Sequence, residues 1–296
     1  MAPFFMRDNF IQYLISEKRF SNHTCTAYKK DLTQFFDFAE ITNEHDVKEV
    51  TASLIRGWVV DLMDADYNPA SVNRKLSTLK TFFKWLMKNG VIDKNPMITV
   101  RGPKKSKRLP SFVQEKDLRL EKTSILFSND FEGIRDQLIL EVLYQTGIRS
   151  SELIDLLQSN VSNESIKVIG KRNKERIIPI TKELVVLIQS YLILKLKFNY
   201  NADFLFVLNS GKKLYPKFVY RKINSYLGRV TELEKKSPHV LRHSFATHML
   251  NSGAGLEVLK ELLGHANLSA TQVYTHNSFT QITSIYSQSH PRGHKT

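Results

Sequence analysis

The sequence predicts a mainly α-helical protein of two domains, with a small β-sheet in the second domain. Three observations predict this fold class. The chain has 296 residues, enough for two ordinary domains. Apolar residues recur at helical spacing through the first hundred residues and through much of the remainder. Two short β-type runs, 166–169 and 176–180, have the composition of paired strands.

Composition narrows the class of protein further. The chain is 42% hydrophobic and 24% charged, which excludes a disordered chain. Its single cysteine, Cys25, excludes an intramolecular disulfide framework and indicates a reducing compartment. The first residues lack the pattern of a signal peptide, and the longest strongly apolar stretch, 184–194, is too short to span a bilayer. We therefore expect a cytoplasmic protein without a membrane partner.

The charge indicates a polyanionic partner, with nucleic acid favoured over an acidic membrane surface. The formal net charge is +14 at pH 7, and it is unevenly distributed. Residues 1–100 are net +1, residues 101–112 are net +5 without any acid, and residues 113–296 are net +8. Because Pro103 and Pro110 discourage helix, we interpret 101–112 as a basic linker between domains 1–100 and 113–296.

The first hundred residues have the periodicity of four helices. We predict a helix around residues 10–14, a second that Ser21 caps, a third over 54–63 and a fourth that starts near Pro69 or Ser71. The fourth ends at Gly90, because glycine suits the left-handed position after a helix.

The second domain mixes helices with a hairpin. Helical spacing fits the segments 134–143, 153–157, 184–195, 216–227, 238–252 and 256–263, and a further apolar spacing follows residue 274. The two strands flank the turn 170–175, which places its cations at the hairpin tip.

Residues 237–242 carry the first chemical signal. Ser237 followed by Pro238 marks the start of a helix. His239 and Arg242 stand three residues apart and share a face of its first turn. The free N–H groups of a helix start favour an anion, so this pair predicts a phosphate or oxyanion pocket.

A zinc site is the alternative for this helix, because His239 and His243 stand four residues apart. The zinc-protease motif needs a glutamate directly after the first histidine, where this chain has Val240. No third ligand stands at a recognised spacing. We therefore predict no metal, and we expect His243 and His248 to be packed or capped structural residues.

Three other positions are candidate site residues because of their order along the chain. Arg149 follows a glycine at the start of a predicted helix, and Glu152 could orient it by a charge-assisted bond. His265 directly follows the helix-ending Gly264, and Tyr274 comes nine residues later. Taken singly, each is more often a surface or structural residue.

In order, these elements resemble the tyrosine recombinase (phage integrase) family over nearly the whole chain. The match runs from an arginine through a hairpin lysine and His-x-x-Arg to Gly-His and a tyrosine. Residues 237–250 are close to the most specific signature of the family, residues 107–110 resemble its linker, and His290-Pro291-Arg292 is similar to the tail of Xer-type resolvases. The resemblance implies a helical SAM-like core-binding domain followed by an α+β catalytic domain.

The resemblance also implies a mechanism. Tyr274 would attack a scissile phosphate to leave a 3′-phosphotyrosyl link, while Arg149 and Arg242 stabilise the phosphorane. His239 would assist proton handling at the nucleophile, and His265 would donate a hydrogen bond to a phosphate oxygen. Glu152 would hold Arg149, and the reaction would need neither ATP nor a metal cofactor.

The hairpin departs from the family pattern, because Arg172 stands where a second glycine is common. Lys171, directly after Gly170, is our choice for the general acid that protonates the 5′-oxygen. Lys174 is the alternative.

The implied partner is a double-stranded DNA recombination site, clamped by both domains of a nucleoid-associated protein. We predict DNA contacts from eight cations, of which Arg221 and Lys222 lie on a helix that could enter the major groove; the others are Arg74, Lys75, Lys104, Lys105, Arg172 and Lys174. The resemblance implies a homo- or hetero-tetramer on paired sites, and a DNA translocase is a candidate activator. The helix after Tyr274 would dock on a neighbouring protomer, or fold back on its own domain.

The favoured function is Xer-like resolution of chromosome dimers, which serves chromosome partition at cell division. An integrase or invertase of a mobile element is the alternative within the family. A type IB topoisomerase is disfavoured by the separate helical domain and the Gly-His element. A DNA-binding protein that has lost catalysis is disfavoured because all six catalytic positions hold competent residues.

Overall fold

The structure is a computed structural model that describes residues 3–104, 111–170, 174–200, 202–264 and 276–293. It confirms a mainly helical fold with one small sheet of two strands. The chain divides into two compact units, residues 1–108 and 109–296. Among the described helices, none is long and apolar enough to cross a membrane.

Among its described residues, the first unit contains five helices around an aromatic core. They are α1 (Pro3–Ser16), α2 (Asn22–Phe38), α3 (Glu44–Lys48), α4 (Ala52–Asp64) and α5 (Pro69–Lys88). Phe35 on α2 packs edge-on against Trp58 on α4 at 5.0 Å, and Phe10 on α1 packs against Phe82 on α5 at 5.3 Å. These four rings are fully buried, so aromatic burial holds α1, α2, α4 and α5 together.

Local signals in the sequence set the ends of these helices. Ser21 caps α2 by accepting the Thr24 N–H, and Asn68 caps α5 directly before Pro69. Gly90 follows α5 with φ +68°, as predicted. The short helix α3 was not predicted; it begins at a capping box in which Asn43 and Asp46 satisfy each other's backbone N–H groups.

The second unit contains the hairpin and eight helices among its described residues. In chain order, the helices and the two strands of the hairpin are α6 (Leu120–Thr123), α7 (Phe131–Thr146), α8 (Ser150–Ile154), β1 (Ser165–Ile169), β2 (Glu175–Pro179), α9 (Lys182–Lys197), α10 (Pro216–Val230), α11 (Pro238–Asn251), α12 (Leu256–Leu263) and α13 (His276–Ser289). Helix α7 is buried along nearly its whole length and contacts α8, α9, α10 and α11. It is therefore the central element of this core.

The hairpin pairs β1 and β2 in antiparallel register, with Ile166 opposite Ile178 and Val168 opposite Arg176. The Gly170 N–H donates to the Lys174 carbonyl at 2.8 Å and closes the ladder. The adjacent helix α8 was predicted at 153–157 but spans Ser150–Ile154. It begins earlier because the Glu152 carboxylate accepts the Arg149 N–H and caps its first turn.

Helix α13 packs against its own domain. Ile282 and Tyr286 are buried, and the Tyr286 hydroxyl donates to the Gln145 carbonyl at 3.1 Å. Beyond the helix, Arg292 forms a two-point ion pair with Glu141 of α7, from Nε to Oε2 at 3.2 Å and from an Nη to Oε1 at 2.9 Å. In this single chain the C-terminal segment is thus anchored to α7.

Candidate functional site: a buried arginine cluster

Arg149 lies where α7 gives way to α8. Gly147 ends α7 in the left-handed conformation, with φ +60°, and so turns the chain. The Arg149 backbone N–H donates to Glu152 Oε2 at 2.7 Å, and its guanidinium donates to Glu152 Oε1 at 2.8 Å. The side chain remains about one-third exposed, at 36%. Glu152 therefore fixes both the backbone and the head group of a cation that still reaches solvent.

Arg242 projects from the first turn of α11 into the same region. It donates to the carbonyl oxygens of Gly147 at 2.6 Å and Leu263 at 2.7 Å. Burial, reinforced by the charges of Arg149 and Arg176, lowers the pKa of Arg242 to about 10. The guanidinium stays protonated at neutral pH, so the site concentrates positive charge in a partly dehydrated place.

The histidines of α11 lie in different environments. His239 is exposed in the first turn, near the buried Arg242. His248 is buried, and its ring bonds the Tyr144 hydroxyl at 2.9 Å and the Val113 carbonyl at 3.0 Å. The Val113 carbonyl can only accept, so His248 Nε2 carries the proton and Nδ1 accepts from Tyr144. Burial also lowers the pKa of His248. His248 is thus a packed, hydrogen-bonded residue of the core.

Arg176 is a component of the cluster that the sequence analysis missed. It is buried on β2 and donates to both carboxylate oxygens of Glu152, at 3.1 and 2.7 Å. Burial by itself would raise the pKa of Glu152, but the bonds and charge of Arg176, followed by those of Arg149, lower it below its ordinary value. Strand alternation could have found Arg176, because it shares the inward face of β2 with Ile178.

Five predicted site residues lie outside the described ranges: Lys105 in the linker, and Lys171, Arg172, His265 and Tyr274 in the second unit. Gly170, directly before Lys171, and Gly264, directly before His265, both lie beside the cluster. Gly264, directly before His265, accepts from Arg149 at 3.4 Å. Lys174, the alternative general acid, is exposed at the start of the returning strand.

The predicted DNA contacts on α5 separate into one exposed and one buried cation. Arg74 bonds Asp31 with two nitrogens and keeps 47% of its side chain exposed. Lys75 is buried, and its ammonium bonds Asp31 at 3.2 Å and Gln34 at 2.5 Å. This buried position corrects the expectation that Lys75 contacts a phosphate directly. Helical spacing places Lys75 in the same apolar stripe of α5 as Val72 and Leu79.

The cations of α10 differ in a similar way. Arg221 is exposed and donates to the Tyr215 hydroxyl at 3.0 Å. Lys222 is 30% exposed and forms an ion pair of 2.7 Å with the buried Asp136 of α7. Lys222 therefore anchors α10 to the core, whereas Arg221 faces solvent. Lys104 is exposed, and Lys105 lies outside the described ranges.

The chemistry of the cluster is that of an oxyanion site. Arg149 and Arg242 bring two permanent positive charges with planar donors to one place, which suits a phosphate diester. The buried carboxylate of Glu152 is occupied by two guanidinium groups. Within the described ranges no three His, Cys, Asp or Glu side chains are grouped as metal ligands would be.

Two family models match the chain. The model described as "Phage integrase family" matches residues 118–281, and "Phage integrase, N-terminal SAM-like domain" matches residues 8–90. The first match contains the arginine cluster, and the second contains helices α2 to α5.

The chain is also similar to curated proteins and to solved structures. It is 36% identical to tyrosine recombinase XerC of Chlorobaculum parvum, over 95% of this chain and 93% of that protein. It is 36% identical to tyrosine recombinase XerD of Listeria monocytogenes, over 96% and 98% respectively. A solved structure of XerH recombinase bound to palindromic difH substrate, a post-cleavage complex, shares the fold with a TM-score of 0.71, over 89% of this chain and 79% of that one, at 21% identity.

Proposed function

Because this chain belongs to the phage integrase family and is a Xer-like tyrosine site-specific recombinase, we propose that its arginine cluster binds the scissile phosphate of a double-stranded DNA site. The observation that carries the proposal is the convergence of Arg149 and Arg242 beside Gly147 and the end of α12. Two guanidinium groups at one place neutralise the two non-bridging oxygens of a phosphate diester. They stabilise the additional charge of the pentavalent transition state more strongly than the ground state.

In the proposed reaction Tyr274 is the nucleophile. The bond from its phenolic oxygen to phosphorus forms while the bond from phosphorus to the 5′-oxygen breaks, so a 3′-phosphotyrosyl link replaces the diester. His239 accepts the phenolic proton, and Lys171 supplies the proton that the departing 5′-oxygen requires. His265 donates a hydrogen bond to a phosphate oxygen. The phosphotyrosyl bond conserves the energy of the diester. The 5′-hydroxyl of the partner strand then attacks the phosphorus, the bond to Tyr274 breaks, and the exchanged strands form a Holliday junction.

The biological role we propose is resolution of chromosome dimers by a tetramer on paired sites. Homo- and hetero-tetramers both fit a chain similar to XerC and XerD proteins. A DNA translocase is the proposed activator. Sequencing the DNA that the protein captures covalently in its own cells tests the role. One chromosomal site is the expected result, whereas scattered or invertible sites would favour a mobile-element integrase or invertase.

Covalent trapping tests the proposed chemistry. The substrate is a nicked suicide duplex carrying the captured site, from which the cleaved fragment diffuses away. Wild-type protein should form a covalent adduct, and Tyr274→Phe should bind the same duplex without forming one. An adduct with Tyr274→Phe would exclude Tyr274 as the nucleophile. Relaxation of supercoiled DNA without site preference, and without recombinants from paired sites, would instead identify a type IB topoisomerase.

A further inference from the structure

The C-terminal end of α12 holds three arginines. Its last three carbonyl oxygens each accept a hydrogen bond from a different guanidinium group: Leu262 from Arg176 at 2.8 Å, Leu263 from Arg242 at 2.7 Å and Gly264 from Arg149 at 3.4 Å. The last carbonyls of a helix have no partner within the helix and carry partial negative charge. The end of α12 thus supplies acceptors that let three like charges lie together.

Arg176 differs from Arg149, because it is enclosed. Its side chain is 5% exposed, compared with 36% for Arg149. All three of its guanidinium nitrogens have protein partners, with Nε on Leu262 and both terminal nitrogens on Glu152. Because each of its three guanidinium nitrogens already has a protein partner, we expect Arg176 to act on the reaction through a neighbour.

Glu152 is that neighbour. Its carboxylate is 6% exposed and is shared between Arg176 and Arg149. A carboxylate held from two sides is fixed in position and stays ionised, so it can orient Arg149. Without Arg176, Glu152 would have one guanidinium partner and would be free to rotate with Arg149 or to take up a proton.

We propose that Arg176 is a positioning residue of the reaction: it fixes Glu152, and through Glu152 it aims Arg149 at the scissile phosphate. The bond from Nε to Leu262 adds a second connection, because it holds the end of α12 against β2. Arg176 is also two residues beyond Lys174 on the hairpin strand and thus links the hairpin to the cluster. This inference rests on the proposed role of Arg149.

The close fit around Gly264 supports this assignment. Gly264 has φ +65°, and a Cβ added there would lie 3.1 Å from an Nη of Arg176. A Cβ at this distance would be tighter than an ordinary van der Waals contact, so the backbone after α12 lies close to the guanidinium. The position of Arg176 is therefore set by packing as well as by its ion pair.

Single-turnover cleavage of two suicide substrates tests the proposal. One carries the natural scissile phosphate, and the other a methylphosphonate, in which a methyl group replaces one non-bridging oxygen and removes the charge that the arginines neutralise. Arg149→Ala should lose more activity on the phosphate than on the methylphosphonate. If Arg176 acts through Arg149, Arg176→Gln should follow the same pattern, with a loss of about 10- to 100-fold on the phosphate and a distinctly smaller loss on the methylphosphonate.

The controls separate positioning from folding. Lys167→Gln removes an exposed cation from the same hairpin and should cleave both substrates at wild-type rates. Glu152→Gln combined with Arg176→Gln should lose less activity than the product of the two single losses, because the two residues share the path through Glu152. Should Arg176→Gln fail to fold, Arg176→Lys, which keeps the charge but loses the two-point bond, is measured for the same ratio.

The outcomes are distinct. The proposal is overturned if Arg149→Ala shows its substrate-dependent loss but the Arg176 variants do not. In that case the Arg176 variants lose equal activity on both substrates or cleave both at wild-type rates. If Arg149→Ala itself shows no difference between phosphate and methylphosphonate, the proposed function fails first.

Discussion

Arg242 on α11 donates a hydrogen bond of 2.6 Å to the carbonyl oxygen of Gly147, the residue that ends α7. The two residues are 95 positions apart in the sequence, and the bond joins α11 to the end of α7. The direction in which that carbonyl points depends on the left-handed backbone of Gly147. The geometry of Arg242 thus depends on a residue that has no side chain.

We expect Gly147→Ala to destabilise the catalytic domain. An alanine Cβ would lie 2.5 Å from Cδ1 of the buried Phe245, in addition to the strain of φ +60°. Overpacking and left-handed strain each cost about 1–3 kcal/mol. Urea unfolding of Gly253→Ala provides the matched control, since Gly253 has φ +89° with open space around a Cβ. Equal losses in the two variants would contradict the steric explanation.

The two hairpin lysines can be distinguished by the leaving group. Lys171→Ala should abolish most cleavage of an ordinary phosphate and recover on a 5′-bridging phosphorothiolate, because a thiolate departs without a proton. Lys174→Ala should cleave both substrates alike. Cleavage is measured in a single turnover on matched duplexes. Recovery by Lys174→Ala alone would transfer the general-acid role to Lys174.

The buried His290 should make stability depend on pH. Burial lowers its pKa to about 3, compared with about 6.5 in the unfolded chain, so the unfolded state binds more protons in this interval. Stability is therefore complete above pH 6.5 and is lost as the pH falls toward 3. The slope from this group is at most about 1.4 kcal/mol per pH unit.

The comparison that isolates this effect uses His290→Phe, which keeps a ring beside Tyr286 and cannot titrate. Its unfolding free energy, measured by urea titration from pH 7.5 to 4.5, should decline less steeply than that of the wild type. His45→Gln, at an exposed histidine, should keep the wild-type slope. Parallel curves for His290→Phe and wild type would show that His290 does not titrate as proposed.

Substitution of Arg74 should change DNA binding, whereas substitution of Lys75 should change the stability of the fold. Arg74→Ala should weaken DNA binding and reduce the slope of log affinity against log salt by about 1, as loss of one phosphate contact does. Lys75→Met should leave that slope unchanged and lower the free energy of unfolding by about 1–3 kcal/mol, since a buried carboxylate loses a partner. Fluorescence anisotropy across a salt series and urea unfolding measure the two effects. A reduced salt slope for Lys75→Met would restore it as a phosphate contact.

Arg221 tests whether α10 recognises sequence. Because its side chain is exposed on a helix whose apolar face is packed, Arg221→Ala should lower affinity for the captured site more than for random DNA. A bidentate base contact is worth about 1–3 kcal/mol of discrimination. An equal loss on both DNAs would identify a phosphate contact instead.

Signals close together in the sequence predicted most of the fold. Pro69 marked the start of α5, Gly90 marked its end, and isoleucine-rich runs marked the hairpin. The cluster was only partly predictable. Arg149 and Glu152 are three residues apart, but the bond from Arg176 to Leu262 spans 86 positions and depends on how β2 packs on α12. The burial of Lys75 was readable from its helical stripe, although its charge had suggested exposure.

Three guanidinium groups are held on the end of α12 by carbonyl oxygens of the fold itself. Immobilising a flexible side chain at a binding interface costs about 0.5–1.5 kcal/mol of free energy. Here the side chains are already ordered in the folded protein. The cluster is therefore preorganised, and in the proposed phosphate complex these side chains lose little further conformational entropy. In the proposed reaction, a rigid arginine cluster also limits where the phosphorus atom can lie. The fold itself therefore restricts which phosphodiester linkage of the duplex can react.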